Sequence, residues 1–288
     1  MTYKWIAPLL LLVSQQLIAQ PLFWSAEKDG QELLIYGSMH LGTEDMYPLP
    51  QPITQFLQNS DGLILEANLE SSDPITPPQN NRTAKEVLSD EQLRTLKEIS
   101  VDLGIEPYAI ANSPAWAAAM TLQKTLNETA GQSAVYGVDS NMQALAIKYD
   151  VPVLAFESVQ FQIDLLSKYG EELLIDTISD YDKTIPYIEC LSESWKVGDK
   201  HKLEQVAEEF SYYPDVQQAF MTDRNKDWAK KLASGKLIPE DSGKYIVVVG
   251  TLHLVGEDNL IALLENEGYS TTQLSTSKQA TCSFSEES

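Results

Sequence analysis

Two short phrases that carry histidine are near-copies of each other, and each follows a run of strand-forming residues. Residues 32–42 read ELLIYGSMHLG, and residues 245–256 read YIVVVGTLHLVG. In both, a glycine, a small hydroxyl residue and an apolar residue precede the histidine, which is His40 in the first phrase and His253 in the second. Open α/β sheets bind their ligands at the carboxyl ends of the strands. The phrases therefore predict two imidazoles that meet at one edge of a sheet.

A pair of histidines at one site indicates either metal binding or proton transfer. Neutral imidazole is the commonest protein ligand for transition metals, and its pKa also suits a general base near neutral pH. The chain has three histidines, and the third, His201, lies between two lysines in a polar stretch that predicts a surface helix. The glycine of each phrase is expected to let the backbone turn sharply off the strand, so that the imidazole faces a cleft.

A carboxylate ends the predicted strand over residues 62–66, which reads GLILE. If Glu66 is buried it needs a partner, because an unpaired buried charge is very costly. Three interpretations follow: Glu66 binds a metal ion together with His40 and His253, it is a general base, or it faces water at the strand end. A set of two histidines and one carboxylate leaves coordination positions open for water and substrate.

Four further polar residues are placed to support such a site. Asp139 and Glu157 lie at a turn and at a strand end, and they are predicted either to orient the histidines or to be structural. Arg224, followed by Asn225 on a predicted helix, is expected to hold a substrate carboxylate or an oxyanion, or to form a helical salt bridge. The hydroxyl residue of each phrase is predicted to be a turn residue rather than a nucleophile. The sequence has no G-x-S-x-G, P-loop, H-E-x-x-H or G-x-G-x-x-G motif.

Apolar runs and turn signals predict strands near both ends of the chain and helices between them. Strands are predicted over 22–25, 32–36, 62–66, 151–156, 245–249 and 269–274. Helices are predicted over 53–59, 89–99, 114–126, 142–149 and 258–267, with a mostly helical stretch over 160–235. Ser89 and Ser113 are expected to cap two helices, and Pro186, Gly198 and Pro214 to break the helical stretch. The pattern predicts an α/β (α+β) fold: a mixed sheet core with a mostly helical insertion.

The N-terminus is typical of a secretory signal peptide. Lys4 precedes an apolar run over residues 5–13, and Ala19 ends a small-residue cleavage site. The run is too short to span a bilayer, and no later segment approaches 18 consecutive apolar residues. We therefore predict a cleaved segment over residues 1–19 and a single domain over residues 20–288. Export across a bacterial inner membrane would place this domain in the periplasm or outside the cell, without stable membrane insertion.

The net charge limits the binding partners that the protein can have, and the cysteine content indicates its redox compartment. The net charge of −22 argues against nucleic acid or an anionic membrane, because both require basic patches on the protein. The two cysteines, Cys190 and Cys282, suit an oxidising compartment, where a disulfide would tie the C-terminal tail to a helix. The sequence leaves open whether they pair, and it leaves the oligomeric state unknown.

Several of these motifs, in this order, resemble the TraB/PrgY/GumN family, which includes the TIKI proteins. The matching segments are residues 37–42, 47–50, 63–66, 137–139, 154–162, 224–228 and 250–253. A lone Gly-x-x-His is a weak signal, whereas the ordered set is specific. The resemblance covers residues 24–274, nearly the whole predicted mature chain.

The resemblance implies a fold, a chemistry and a cofactor. The TIKI proteins are metal-dependent proteases, and their two histidines and glutamate match His40, His253 and Glu66, with cobalt or manganese implied as the metal. Erythromycin esterases and ChaN-like proteins share the broader fold group, which implies an α/β core with its site between two halves. The esterases are similar in their His and Glu but use the histidine as a base, so this fold group does not by itself require a metal.

We therefore predict an exported metal-dependent hydrolase, a peptidase, that acts on a peptide or protein. Its cofactor is predicted to be a divalent ion of manganese, cobalt or zinc that is held by His40, His253 and Glu66. A water molecule bound to this ion would attack an amide. One alternative is a metal-independent esterase or amidase in which His40 is the general base and Glu66 orients it. The other alternative is a binding protein that holds a peptide or a metal without turnover.

Overall fold

The structure is a computed structural model that describes residues 20–78, 81–209, 212–238 and 242–284. The predicted signal segment over residues 1–19 lies outside them. Within the described residues, six strands form one sheet: β1 (Phe23–Lys28), β2 (Gln31–Ser38), β3 (Gly62–Ala67), β4 (Val153–Glu157), β5 (Gly243–Gly250) and β6 (Ser270–Gln273). Their order is β4-β3-β5-β2-β1-β6. The strands β4, β3, β5 and β2 run parallel, and β1 pairs antiparallel with β2 and β6. This arrangement confirms the predicted mixed-sheet α/β fold.

The parallel strands bring the predicted site residues to one edge of the sheet. Residues 245–249 of β5 are all buried, as expected of a parallel strand that is covered on both faces. Ser38 lies opposite Gly250 in the β2–β5 ladder, so the two histidine phrases leave the sheet side by side. On the other side of β5, β3 runs in parallel and ends beyond Glu66. The side chains of three adjacent strand ends therefore share one edge.

The helices that surround this sheet lie between β2 and β6. In the described residues they are α1 (Gln51–Gln58), α2 (Ala84–Val87), α3 (Asp90–Asp102), α4 (Pro107–Ala111), α5 (Ala115–Thr129), α6 (Val138–Lys148), α7 (Val159–Lys168), α8 (Gly170–Ser179), α9 (Tyr181–Val197), α10 (Lys200–Glu209), α11 (Pro214–Gln217), α12 (Asp223–Ala233) and α13 (Leu260–Asn266). A π-helical turn, Gln218–Thr222, joins α11 to α12. None of the helices described is long and apolar enough to cross a membrane.

Two apolar clusters cover the two faces of the sheet. On one face, Val247 of β5 belongs to a cluster with Trp228 of α12 and Leu260 of α13. On the other face, Val248 belongs to a cluster with Trp195 of α9 and with residues of α1 and α6. Both tryptophans are fully buried. Burial of apolar surface contributes about 25 cal/mol per Å², so a side chain of this size stabilises the packing by several kcal/mol. The clusters thereby fix α12 and α9 beside the strand ends. A third cluster packs α2, α3, α4, α5 and α8 together.

The helix boundaries differ from the sequence prediction at two prolines. Pro186 was expected to break the helical stretch, but it lies inside α9. The prediction is wrong because the later turns of α9 bury Trp195 and Cys190, which anchor the helix despite the missing N–H. Ser113 was expected to cap α5, but Pro114 is the N-cap residue, and the Ser113 hydroxyl donates instead to the carbonyl of Ala109. The expected break at Gly198 and the Ser89 cap are confirmed.

A disulfide ties the C-terminal tail to α9. Cys190 and Cys282 are joined across 92 residues of chain, with their Cα atoms 5.4 Å apart. The tail also donates from the N–H of Lys278 to the carbonyl of Val197 and from the N–H of Ala280 to Asp199. The pairing that the sequence left open is therefore present, and it clamps the helix that carries Trp195.

Candidate functional site

The first histidine is held by a carboxylate at the start of α6. His40 follows β2, and its Nδ1 lies 2.9 Å from Oδ2 of Asp139. The hydroxyl of Ser38 donates to the other oxygen, Oδ1, at 2.7 Å. The N–H of Val138 donates to the carbonyl of Met39, which fixes α6 against the loop. Asp139 therefore orients His40, as the sequence allowed.

The charge of Asp139 favours the protonated form of this imidazole. The nearby carboxylate, which outweighs the opposing effect of desolvation, raises the pKa of His40 from 6.5 to about 9. The His40 side chain is 68% exposed, and water around the ring weakens this attraction. The 2.9 Å contact accounts for the direction of the shift, and His40 is one of the residues that line the cavity described below.

The second histidine is held by an amide instead of a carboxylate. His253 lies in the 3₁₀ turn Thr251–Leu254 that follows β5, and its Nδ1 lies 2.6 Å from Oδ1 of Asn225. The Asn225 amide nitrogen donates to the carbonyl of Asp258 at 3.0 Å, which leaves Oδ1 as the atom that faces the ring. Because Oδ1 can only accept, we assign the ring proton to Nδ1 and the lone pair to Nε2.

Burial keeps this second imidazole neutral. His253 is 5% exposed and packs against the ring of Trp228, with the ring centroids 4.5 Å apart. Desolvation by burial outweighs the attraction of Glu66 and lowers the pKa of His253 from 6.5 to about 4. At neutral pH the site therefore holds one imidazole that readily binds a proton and one that does not.

Glu66 lies beside the second histidine phrase and is ionised. Its Oε1 accepts the N–H of Gly250 at 2.7 Å, and its Oε2 accepts from Arg224 at 2.5 Å. Burial raises the pKa of Glu66, but the fields of His253, His40 and Arg224 and the Gly250 hydrogen bond outweigh it and lower that pKa to about 2. Since His253 is neutral at pH 7 whereas His40 favours the protonated form, the lasting contributions come from His40, Arg224 and the Gly250 N–H.

Arg224 is the hub of the buried half of the site. Its Nε and Nη2 donate to the two oxygens of Glu157, at 2.8 and 3.0 Å, and Nη2 also donates to Glu66. Its Nη1 donates to the carbonyl of Phe220 at 3.1 Å and lies 3.3 Å from Nε2 of His253. A guanidinium has five N–H donors, so all five have an acceptor here. Arg224 therefore forms salt bridges, but with carboxylates of β3 and β4 instead of the expected partner on a helix.

A cavity of about 300 Å³ connects the exposed histidine with Glu66. It is lined by His40, Leu65, Glu66, Ala67, Leu69, Ala134, Asp139, Ser140 and Gln162. His253 does not line it, because it lies behind Glu66 with Nε2 3.7 Å from Oε1. Glu157, which the sequence placed among residues that orient the histidines, contacts neither histidine; it binds Arg224 and the indole N–H of Trp228.

The predicted metal ligands do not surround a common point as they lie. Among the described residues, no group of three or more His, Cys, Asp or Glu side chains is arranged to hold a metal ion. The Arg224 guanidinium contacts two of the three predicted ligands: it is bonded to Glu66 and lies 3.3 Å from Nε2 of His253. A divalent ion held by His40, His253 and Glu66 would require this guanidinium to move. Metal binding by His40, His253 and Glu66 therefore stays a prediction.

The contacts of two residues were not predicted from the sequence, although both residues lie in the segments that resemble the family. Trp228 lies one helical turn after Arg224, at i+4, where its ring stacks 4.6 Å from the guanidinium. Gln162 contacts both Glu66 and Glu157, at 3.4 and 3.5 Å. The i, i+4 spacing on α12 was a readable signal for Trp228, whereas no local pattern marks Gln162.

The glycines of the two phrases serve close approach rather than a sharp turn. Gly250 has φ −49°, in the region open to any residue, and its N–H faces Glu66. A Cβ on Gly37 would lie 2.7 Å from the hydroxyl of Thr251. The two phrases are therefore packed directly against each other, which a side chain at position 37 would prevent.

Comparison with known proteins agrees with the motif order. A sequence profile of the TraB/PrgY/gumN family matches residues 22–273. The chain is 32% identical over 234 residues to YbaP, an uncharacterized protein of Escherichia coli (strain K12), across 80% of this chain and 86% of that protein. YbaP of Shigella flexneri matches with the same identity and coverage. No solved structure matches the chain at a significant level. With its profile match spanning the whole sheet and both histidine phrases, the chain belongs to the TraB/PrgY/gumN family.

Proposed function

We propose that this protein is a hydrolase that cleaves an amide or ester bond, with His40 as the general base. The observation that carries the proposal is the His40–Asp139 contact at the wall of the cavity that also holds Glu66. In the neutral ring, Nδ1–H donates to Asp139, which leaves the Nε2 lone pair to take a proton from water. A base that is oriented by a third group is the usual arrangement for such proton transfer.

Glu66 has a separate role in this proposal. Its low pKa makes it a weak base, so it accepts a hydrogen bond from the attacking water and leaves the proton to His40. Arg224 and the N–H of Gly250 hold both oxygens of Glu66 and keep it ionised. His253 and Asn225 in turn pack behind Glu66 and Arg224 and exclude water from that side.

A metal-dependent peptidase is the second candidate. It is favoured by one feature: both imidazoles have Nδ1 held by an oxygen acceptor, which leaves the lone pair on Nε2, as in metal-ligating histidines. Because Arg224 occupies the position between Glu66 and His253, we route no step through a metal. A bound divalent ion would supply a water of lowered pKa.

The test is hydrolysis of a panel of peptide amides and carboxylic esters by the wild-type protein and by His40→Gln. We expect turnover that survives exhaustive chelation and falls by about 10²- to 10⁴-fold in the variant. Full activity in His40→Gln would overturn the proposal. Stoichiometric metal by elemental mass spectrometry, with activity lost on chelation and restored by manganese, cobalt or zinc, would establish the second candidate instead. Ligand binding without product would indicate a binding protein.

We also propose that the protein acts after export. The signal-like N-terminus motivates this, and the Cys190–Cys282 disulfide supports it, because such bonds persist in oxidising compartments. N-terminal sequencing of the protein recovered from a bacterial periplasm should give Gln20 as the first residue. An intact Met1 on protein recovered from the cytosol, with both thiols free to alkylation, would contradict it.

A further inference from the structure

We infer that the cavity beside His40 selects an apolar, uncharged group of the substrate, and that Leu69 and Ala134 set the size of that group. This inference rests on the proposed hydrolase function. It adds the substrate class that the catalytic groups do not determine by themselves.

The composition of the cavity wall is the first observation. Besides His40, Glu66 and Asp139, the cavity is lined by four apolar side chains, Leu65, Ala67, Leu69 and Ala134, and by Ser140 and Gln162. The four apolar side chains offer no hydrogen-bond donor or acceptor to a ligand, the Ser140 hydroxyl donates to the carbonyl of Gly137, and the amide nitrogen of Gln162 lies 3.4 Å from Glu66. Ligand sites are mostly apolar, with a few polar groups that fix orientation, and a volume of about 300 Å³ is at the small end of their range. The space therefore suits one side chain or a short acyl group.

The charged groups in the cavity are already engaged, which is the second observation. Glu66 is bonded to Arg224 and Gly250, and Asp139 is bonded to His40 and Ser38. Each carboxylate is thus matched by a positive or donating partner within the protein. The charge of His40 is likewise paired with that of Asp139, so a charged group of a ligand would lose its water in this cavity without meeting an unpaired counter-charge, and such burial is costly. The cavity therefore discriminates against charge of either sign.

The third observation is an exposed leucine that is held in place at the mouth. Leu69 is 54% exposed, although leucine is normally buried. Its N–H donates to Oε1 of Gln143 at 3.2 Å, and the amide nitrogen of Gln143 donates to Asn68 at 2.7 Å. Gln143 is itself buried on α6, the helix that begins beside Asp139. These hydrogen bonds hold the backbone of Leu69, so that its apolar side chain is exposed at a preformed position, as expected of a residue that contacts a ligand.

Ala134 also lines the cavity, and it lies on a segment that is hydrogen-bonded to the loop that carries His40. The N–H of Gly42 and the carbonyl of Ser133 are hydrogen-bonded, as are the N–H of Ser133 and the carbonyl of Gly42. Val135, which follows Ala134, is exposed as well. The small side chain of Ala134 leaves the volume that a larger residue would fill. Because Leu69 and Ala134 are exposed, both can be replaced without disturbing the core.

The experiment uses binding and turnover as separate readouts. Acetyl-leucinamide, acetyl-aspartamide and acetyl-lysinamide are titrated into the protein and followed by the ring signals of its three histidines in NMR. The matching coumarin amides and methyl esters of the three residues report hydrolysis. We expect the leucine compound alone to shift the His40 signals, and its kcat/KM to exceed that of the aspartate and lysine substrates by about tenfold or more.

Ala134→Leu is expected to weaken binding of the leucine compound by about tenfold or more, because the added side chain fills the cavity. Ala109→Leu, at an exposed alanine on α4, is the matched control and should leave binding unchanged. Leu69→Asp should weaken the leucine compound and favour the lysine compound. A retained preference for leucine in both cavity variants would overturn the assignment of these two residues.

The remaining outcomes separate the inference from the proposed function. If the leucine compound shifts His40 but no substrate is hydrolysed, the hydrolase proposal fails and the selectivity of the cavity stands. If hydrolysis occurs but the aspartate or lysine compound binds as well as leucine, the inference fails and the hydrolase proposal stands. Absence of any shift at His40 with all three compounds also overturns the inference.

Discussion

The loop that carries His40 and the turn that carries His253 share a sequence pattern and an edge of the sheet, but they hold their imidazoles in opposite conditions. His40 is exposed and faces a carboxylate, whereas His253 is buried and faces an amide. The hydroxyl residues differ in the same way. Ser38 donates to Asp139, whereas Thr251 Oγ1, packed against Gly37, has no hydrogen-bond partner among the described residues.

The difference shows what a repeated motif specifies and what it leaves to the rest of the fold. Gly-x-x-His after a parallel strand specifies where the imidazole emerges. The proton affinity of the ring is decided by elements that lie elsewhere in the sequence: α6 supplies Asp139 to His40, and α12 supplies Asn225 to His253. One copy thereby becomes suited to exchange protons with solvent, and the other becomes part of the buried support of Glu66 and Arg224.

The largest expected effect is a contrast between the two histidines: replacing His40 should reduce catalysis, whereas replacing His253 should reduce stability. His40→Gln should lower kcat by about 10²- to 10⁴-fold while the free energy of unfolding stays within about 0.5 kcal/mol, since the ring is exposed. His253→Gln should instead lower the stability, because it disturbs a packed ring and two buried hydrogen bonds. Steady-state kinetics and urea unfolding of both variants check this. Equal losses of stability at the two positions would break the comparison.

The next largest effect concerns the buried ion cluster behind His253. Arg224→Met should destabilise the protein by about 3–5 kcal/mol, because it leaves Glu66 and Glu157 buried without their counter-charge. Arg94→Met is the matched control: Arg94 is exposed, and its contacts with Glu91 and Glu98 are 4.0 Å long. Its loss should cost less than about 1 kcal/mol. A similar cost for the two substitutions, measured by urea denaturation, would show that the cluster carries no special stability.

Much of the sheet could be predicted from the sequence, because its signals are local. The hairpin of β1 and β2 turns at Asp29 and Gly30, both with positive φ, as the Asp-Gly pair indicates. The apolar runs of β3 and β5 predict buried parallel strands, and the histidine phrases locate the edge at which the site forms. Helix ends were predicted less well where tertiary anchoring outweighed local preference, as at Pro186.

The pairing of charges at the site could not be predicted in the same way. Arg224 is 158 residues from Glu66 in sequence and 67 from Glu157, and nothing local indicates which carboxylate it meets. The different environments of His40 and His253 also depend on burial, which arises only when α12 packs on the sheet. The sequence motifs therefore predicted which residues meet at this edge of the sheet, but not which of them are exposed and which are buried.

The pH dependence of stability should have opposite sign for the two histidines. The folded pKa of His253, about 4, lies below the unfolded value of 6.5, so the unfolded state binds the proton first as the pH falls. The stability contributed by neutral His253 is present above pH 6.5 and lost towards pH 4, by about 3 kcal/mol in total. The pKa of His40 is raised, so its contribution, which water around the exposed ring keeps small, is present below pH 6.5 and lost as the pH rises towards 9. Urea midpoints of wild type, His40→Gln, His253→Gln and the exposed control His201→Gln from pH 4 to 9 check both slopes.

The smallest expected effect, and the sharpest test of the His40–Asp139 pair, is a shift in the pH–rate profile. General-base catalysis requires neutral His40, so kcat/KM should rise with pH through the raised pKa of that ring. In Asp139→Asn the carboxylate is absent, the pKa of His40 moves back towards 6.5, and the rising limb moves to lower pH. The plateau should fall at the same time, because the amide no longer enforces the Nδ1–H tautomer. Ser38→Ala removes a hydrogen bond to the same carboxylate but keeps its charge, so its limb should stay close to that of wild type. A purely structural role for Asp139 would lower the plateau and leave the limb where it is, and that result would remove the carboxylate from the account of His40.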